Sequence, residues 1–188
     1  LGKVIEDRAQ QAMYEGVEFT VVNIGDWADM ESLSSYDVAK KSFEGRRYML
    51  DAGAAIEAQE LMFAEISPEV REYTRWVLVL GNHEHRINRT VNDDPKLDGF
   101  MSVDDLRYEE FGWELHPFKE AVNVHGIHFA HYFASGVMGR AVSGVNIGRS
   151  LILKTLESCV QGHSHMLNHS TLTTAAGRRM HGLSCGCF

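Results

Sequence analysis

Apolar residues recur along this chain in two rhythms. Near the start, Ile5, Ala9, Ala12 and Met13 follow the i, i+4, i+7, i+8 spacing of one helix face, which predicts a helix over residues 2–15. The stretch VEFTVVNIGD (17–26) is rich in β-branched residues and ends at a glycine, as strands do. A long helix is predicted over 42–66, with Leu50, Ala54, Ala58, Leu61 and Met62 along one stripe. RWVLVLGN (75–82) is apolar without alternation, the pattern of a central parallel strand covered on both faces.

The second half of the chain has shorter periods. Residues 88–105 show none and read as a loop, with a short helix starting near Ser102. WELHPF, AVNVHG and IHFAHY read as short strands, with Gly126 in a hairpin turn between the last two. Residues 146–157 are predicted helical and ESCVQG (157–162) a strand, and 169–186 form a hairpin turning near Ala176-Gly177. The order α-β-α-β, then strands, a helix and more strands predicts a layered α/β sandwich with helices outside and sheets inside. No repeat, low-complexity tract or linker interrupts residues 1–188, so a single domain is expected.

Composition narrows the function classes. The net charge of −8 argues against a broad basic surface that tracks phosphate backbones. A phosphate substrate is still compatible with it, because bound divalent cations reverse the local field. No apolar run approaches the ~18 residues of a membrane span, so no membrane partner is expected. Cys159, Cys185 and Cys187 form no disulfide framework and read as reduced thiols of a cytoplasmic protein; Cys185-Gly-Cys187 lacks the second cluster that a metal site of that type needs.

The placement of the ten histidines matters more than their number. Three predicted strands end in polar clusters, GDWAD (25–29), GNHEHR (81–86) and GHSH (162–165), and a fourth ends near His131. Ligands of α/β folds gather where strand C-termini open onto loops. A carboxylate, an amide oxygen and imidazoles suit a divalent ion such as Mn, Fe, Ni, Co or Zn. Any one cluster is matched by an ordinary turn or capped loop; four in this order, each at a strand exit, are not.

In these residues the chain resembles the calcineurin-like metallophosphoesterases. Their motif series runs D-x-H, G-D-x-x-D, G-N-H-[DE], a single His, then G-H-x-H, and GDWAD, GNHE, His131 and GHSH match the last four in order over residues 17–185. The resemblance implies an α/β/β/α sandwich of two mixed sheets flanked by helices. It implies two divalent metal ions, with Asp26 bridging them, Asn82, His131 and His163 completing one and His165 ligating the other. His83 falls on the catalytic proton donor, Asp29 on its carboxylate partner, and Glu84 is expected to support the ligands from behind. The implied reaction is hydrolysis of phosphomonoesters or phosphodiesters by a hydroxide that bridges the metals, with the phosphate ester, a nucleotide or nucleic acid among the options, as partner.

The chain departs from the family pattern in two places. No D-x-H occurs in it, and since Leu1 stands where the family's first helix begins, a first strand carrying that motif is expected roughly 10–30 residues upstream. Where relatives carry a phosphate-contacting arginine after G-D-x-x-D, Met30 stands here, and Arg86, Arg89 and Arg140 are candidates to replace it. VHG at 124–126 competes with AHY at 130–132 for the fourth motif; His131 is favoured because it follows an apolar strand. His116, His128, His169 and His181 read as surface or strand-face residues. Two alternatives stand beside the phosphoesterase: a nuclease of the same family, which needs a basic groove or stacking aromatics, and a metal-binding scaffold without catalysis; Trp27, Tyr132 and Phe133 lie near the motifs, while Lys and Arg do not cluster strongly.

Overall fold

The computed structural model describes residues 1–36 and 40–186 of a mixed α/β chain with several sheets and helices. Cys187 of the C-x-C pair lies outside the described residues. The chain divides into two compact units. The first comprises Leu1–Asn23, Trp27–Leu78 and His83–Leu115; the second comprises Ile24–Asp26, Val79–Asn82 and His116–Phe188.

In the first unit, α1 (Gly2–Glu15) buries Ile5, Ala9 and Ala12 of the predicted stripe, with Met13 half-buried, and ends at Gly16 in the left-handed conformation. Strand β1 (Thr20–Asn23) pairs in parallel with β2 (Arg75–Val79), Val21 opposite Trp76 and Val22 opposite Val77. The third strand of this sheet is β3 (Glu114–His116), beside β2. Helix α2 (Tyr48–Ala64) is shorter than its predicted range and turns a different face inward. Ala52, Ala55, Gln59, Met62 and Phe63 are buried, whereas Leu50 and Leu61 of the predicted stripe are each 65% exposed.

The reason is that alanine supplies two competing helical stripes here, and the aromatic residue decides between them. The ring of Phe63 lies 4.8 Å from that of Trp76, 5.5 Å from Phe111 and 6.0 Å from Trp113, while the two tryptophans meet edge to face at 5.4 Å. Burying such rings outweighs burying Leu50 and Leu61. After α3 (Pro68–Tyr73), started by Pro68 and capped by the Ser67 hydroxyl, the chain enters β2. The stretch expected as a loop from 88 begins inside a helix, α4 (His85–Asp93), whose polar sequence hid its one buried apolar residue, Ile87. The expected short helix is a single 3₁₀ turn, Val103–Leu106, capped by Ser102.

The second unit is built on a five-stranded sheet. Its strands are β4 (Val122–Val124), β5 (Ile127–Ala130), β8 (Cys159–Gln161), β9 (Asn168–Thr173) and β10 (Arg179–Ser184), in the order β4-β5-β8-β10-β9. The sheet is mixed: β8 runs parallel to both β5 and β10, and each outer pair is an antiparallel hairpin. The β4–β5 turn places His125 (φ 50°) and Gly126 (φ 83°) in the positive-φ pair that two-residue hairpins use. A small ribbon, β6 (Ala134–Ser135) with β7 (Arg140–Ala141), precedes α5 (Ile147–Thr155). Helix α5 packs on β9 and β10, and Ile147 and Leu151 join Val142 and Cys159 in an apolar cluster. Among the described residues no helix is long and apolar enough to cross a membrane.

The inverted face of α2 is directly testable by chemical denaturation. Phe63→Ala is expected to lower stability by about 3–5 kcal/mol. Leu61→Ala is expected to change it by no more than about 0.5 kcal/mol. Comparable losses would mean that the predicted stripe is the buried one.

Candidate metal centre

The site begins with a close crossing of two backbones in the second unit. Beyond β1 the chain turns at Gly25 (φ 89°) and Asp26 (φ 59°), and beyond β2 it passes Gly81 and Asn82. A Cβ on Gly25 would sit 2.5 Å from the Gly81 nitrogen, and one on Gly81 would sit 2.1 Å from Asp26 Oδ1. Only a residue without a side chain fits either place. The G-D and G-N pairs are thus a steric requirement for bringing the Asp26 carboxylate beside the Asn82 amide.

Two further side chains reach the same point. His131 follows β5, is 1% exposed, and has its Nδ1 2.8 Å from the Ile24 carbonyl. That carbonyl can only accept, so Nδ1 carries a proton and Nε2 faces the other side chains of the site. His163 follows β8 with φ 62°, a left-handed conformation shared by Asp26 and by His165 (φ 57°). Such positions are uncommon for residues other than glycine and cluster at functional sites. Gln161 and Ser164 brace the two histidine loops. Gln161 accepts from the Phe133 N–H at 3.2 Å and donates to the Val142 carbonyl at 3.0 Å, and the Ser164 hydroxyl lies 2.7 Å from that of Ser184.

Four donor atoms converge. Asn82 Oδ1 lies 2.8 Å from both His131 Nε2 and His163 Nδ1, the two ring nitrogens are 3.2 Å apart, and Asp26 Oδ2 is 3.4 Å from His131 Nε2. The Asn82 oxygen faces both rings. A carboxylate, an amide oxygen and two imidazoles form a donor set that divalent ions accept. Donors ~2.1 Å from a metal lie roughly 3.0 Å apart at neighbouring octahedral corners and about 3.4 Å apart in a tetrahedron. The observed spacings of 2.8–3.4 Å fit that range. Asp26, His131 and His163 also form a group whose ligand atoms all lie within 4.8 Å of one another; His165 is not a member.

The first unit holds a second constellation. His83 Nδ1 is 2.7 Å from Asp29 Oδ1, so Nδ1 carries a proton toward the carboxylate. Glu84, fully buried, accepts at one carboxylate oxygen from the Ala28 N–H at 3.0 Å and the Tyr108 hydroxyl at 3.1 Å. It anchors the segment that carries Asp29. Arg86 donates to the backbone carbonyls of Asp29 (2.8 Å) and Met30 (3.3 Å), and Arg89 donates to that of Leu33 at 3.1 Å. Both arginines therefore shape the 29–33 segment, while the Met30 side chain is fully buried and offers nothing to a phosphate. Arg140 is opposite Ser135 in the β6–β7 ribbon of the second unit.

Of the residues singled out from sequence, Asp26, Asn82, His131 and His163 come together, and so do His83, Asp29, Glu84 and Arg86. His125 is in the hairpin turn. Tyr108, Gln161 and Ser184 were not anticipated: a single buried polar side chain far along the chain leaves no periodic signal, although Gln161, next to G-H-S-H, was open to suspicion. Burial pushes the Cys159 and Cys185 thiols up. Comparison with family models, curated proteins and solved structures found no match to the chain.

The backbone crossing predicts a sharp asymmetry between two glycines. Gly81→Ala forces apart the Asp26 and Asn82 segments and is expected to cost about 1–3 kcal/mol in chemical denaturation. Gly53→Ala, mid-helix in α2 with nothing within 4 Å of the added methyl, is expected to be stabilising by about 0.5–1 kcal/mol. A neutral Gly81→Ala would contradict the crossing.

Proposed function

We propose that this chain is a metal-dependent phosphoric ester hydrolase of the calcineurin-like metallophosphoesterase type, acting on phosphomonoesters or phosphodiesters. The observation that carries the reading is the convergence of Asp26 Oδ2, Asn82 Oδ1, His131 Nε2 and His163 Nδ1, four atoms of metal-ligand type with the spacing of ligands around one ion. The order of the motifs along the chain supports it independently: G-D-x-x-D, G-N-H-E, the single histidine and G-H-x-H.

In this reading Asp26, Asn82, His131 and His163 would hold one divalent ion, and Asp26 and His165 would be this chain's contribution to a second. Bound ions of this kind supply Lewis acidity that activates water and neutralises phosphate oxygens. The protein groups do the rest. His83 is the next residue after Asn82, so a ligand and a proton carrier share one strand exit. Asp29 accepts from its Nδ1 at 2.7 Å, so a proton given to the leaving oxygen of the ester would come from Nε2. Glu84 and Arg86 keep the 28–30 backbone in place, so that the imidazole does not have to be reorganised during the reaction.

Hydrolysis assays with manganese test the reading. Chromogenic monoesters and diesters are expected to turn over, and inertness of both with every divalent metal would exclude the enzyme. His83→Ala is expected to lower turnover of alkyl esters by about 10²–10⁴-fold, with metal content unchanged. Nitrophenyl esters should lose far less, because nitrophenolate leaves without a proton. Equal losses on both would remove His83 from the proton-transfer role.

A further inference from the structure

The donor cluster of the second unit has an aromatic neighbour that metal binding does not use. Tyr132 follows the ligand His131, and its ring lies 4.9 Å from that of His163. Phe118 stands edge to face with Tyr132 at 5.4 Å and lies 6.0 Å from the His131 ring. Both Phe118 and Tyr132 are only partly buried. The wall therefore adjoins two ligand rings and still keeps surface toward solvent.

The turn that presents this wall is unusual. Residues 117–120 are closed by the Glu120 N–H on the Pro117 carbonyl at 3.1 Å, and Lys119 occupies the third position at φ 72°. Glycine or asparagine is the usual residue there, because a Cβ is strained at positive φ. A lysine held in such a conformation is a position at which to look for function. Its ammonium lies 5.3 Å from the centre of the Phe118 ring, so a flat apolar surface and a cation are presented together. The sequence offers no arginine after G-D-x-x-D, and Arg86 and Arg89 already hold carbonyls of the 29–33 segment.

We propose that Phe118, Tyr132 and Lys119 form a subsite for the nucleobase and phosphate of a nucleotide-class ester, with the rings stacking on the base and Lys119 meeting the phosphate. This rests on the phosphoesterase reading and adds the substrate class to it. A base stacks on any aromatic face without needing a hydrogen-bond code, which suits a wall that carries only rings. The net charge of −8 favours a single nucleotide or a strand end over a long polyanion.

Titration calorimetry of the full chain in manganese-containing buffer tests the subsite without requiring turnover. Adenosine 5′-monophosphate and ribose 5-phosphate carry the same phosphate on the same sugar carbon and differ in the base. The nucleotide is expected to bind about tenfold more tightly, the contribution of one stacked base. Phe118→Leu and Tyr132→Leu should bring the ratio toward one, Phe118→Trp should preserve it, and Lys119→Ala should weaken both ligands while keeping the ratio. Circular dichroism of each variant separates lost stacking from lost folding. A ratio near one in the unaltered protein, a ratio indifferent to Phe118→Leu, or no binding of either ligand overturns the proposal. Parallel assays on nitrophenyl phosphates keep the two readings separate. Hydrolysis with a ratio of one defeats the subsite alone, and a tenfold ratio without hydrolysis defeats the enzyme alone.

Discussion

The contact on which the candidate centre depends is the approach of His131 to Asn82. The Ile24 carbonyl accepts from Nδ1 of His131, which holds the ring with Nε2 2.8 Å from the oxygen of Asn82. His163 Nδ1 and the Asp26 carboxylate close on the same point. A carboxylate, an amide oxygen and two imidazoles at these spacings have the donor types and separations of ligands around a divalent ion.

Much of the second unit's backbone serves that convergence. Asp26 approaches only because Gly25 and Gly81 let two chain segments touch, and Asp26 and His163 reach inward from left-handed conformations that resist non-glycine residues. The opposing stability comes from ordinary sources: the parallel β5–β8–β10 core of the sheet and the apolar cluster of Val142, Ile147, Leu151 and Cys159. Gln161 joins the two, since it stands at the end of β8 and binds the backbone at Phe133 and Val142. In the first unit Glu84 has the corresponding place, tying the segment before Asp29 to Tyr108.

The residues that were legible in the sequence are those whose chemistry is written locally. A glycine followed by Asp, Asn or His at the end of an apolar run marks a strand exit, and this located Asp26, Asn82 and His163. The apolar strand before His131 distinguished it from His125. Strands and hairpins in the second half could be read because glycine and alternation mark their ends. What could not be read depends on partners distant in the chain. The buried face of α2 was chosen by the rings of Trp76, Phe111 and Trp113, which no period of 3.6 within the helix reveals. Helix α4 was hidden because only Ile87 of its nine residues is buried. The roles of Tyr108 and Gln161 arise from single long-range hydrogen bonds, and the backbone contacts of Arg86 and Arg89 likewise have no sequence pattern.

The most direct measurement is an anomalous difference map from crystals of the protein grown with manganese, recorded at the manganese edge. The account predicts a peak about 2.0–2.3 Å from Asp26 Oδ2, Asn82 Oδ1, His131 Nε2 and His163 Nδ1. It also predicts that the Asn82 oxygen stays turned inward. Absence of the peak, with the Asn82 amide reversed so that its nitrogen donates to both imidazoles, would contradict it.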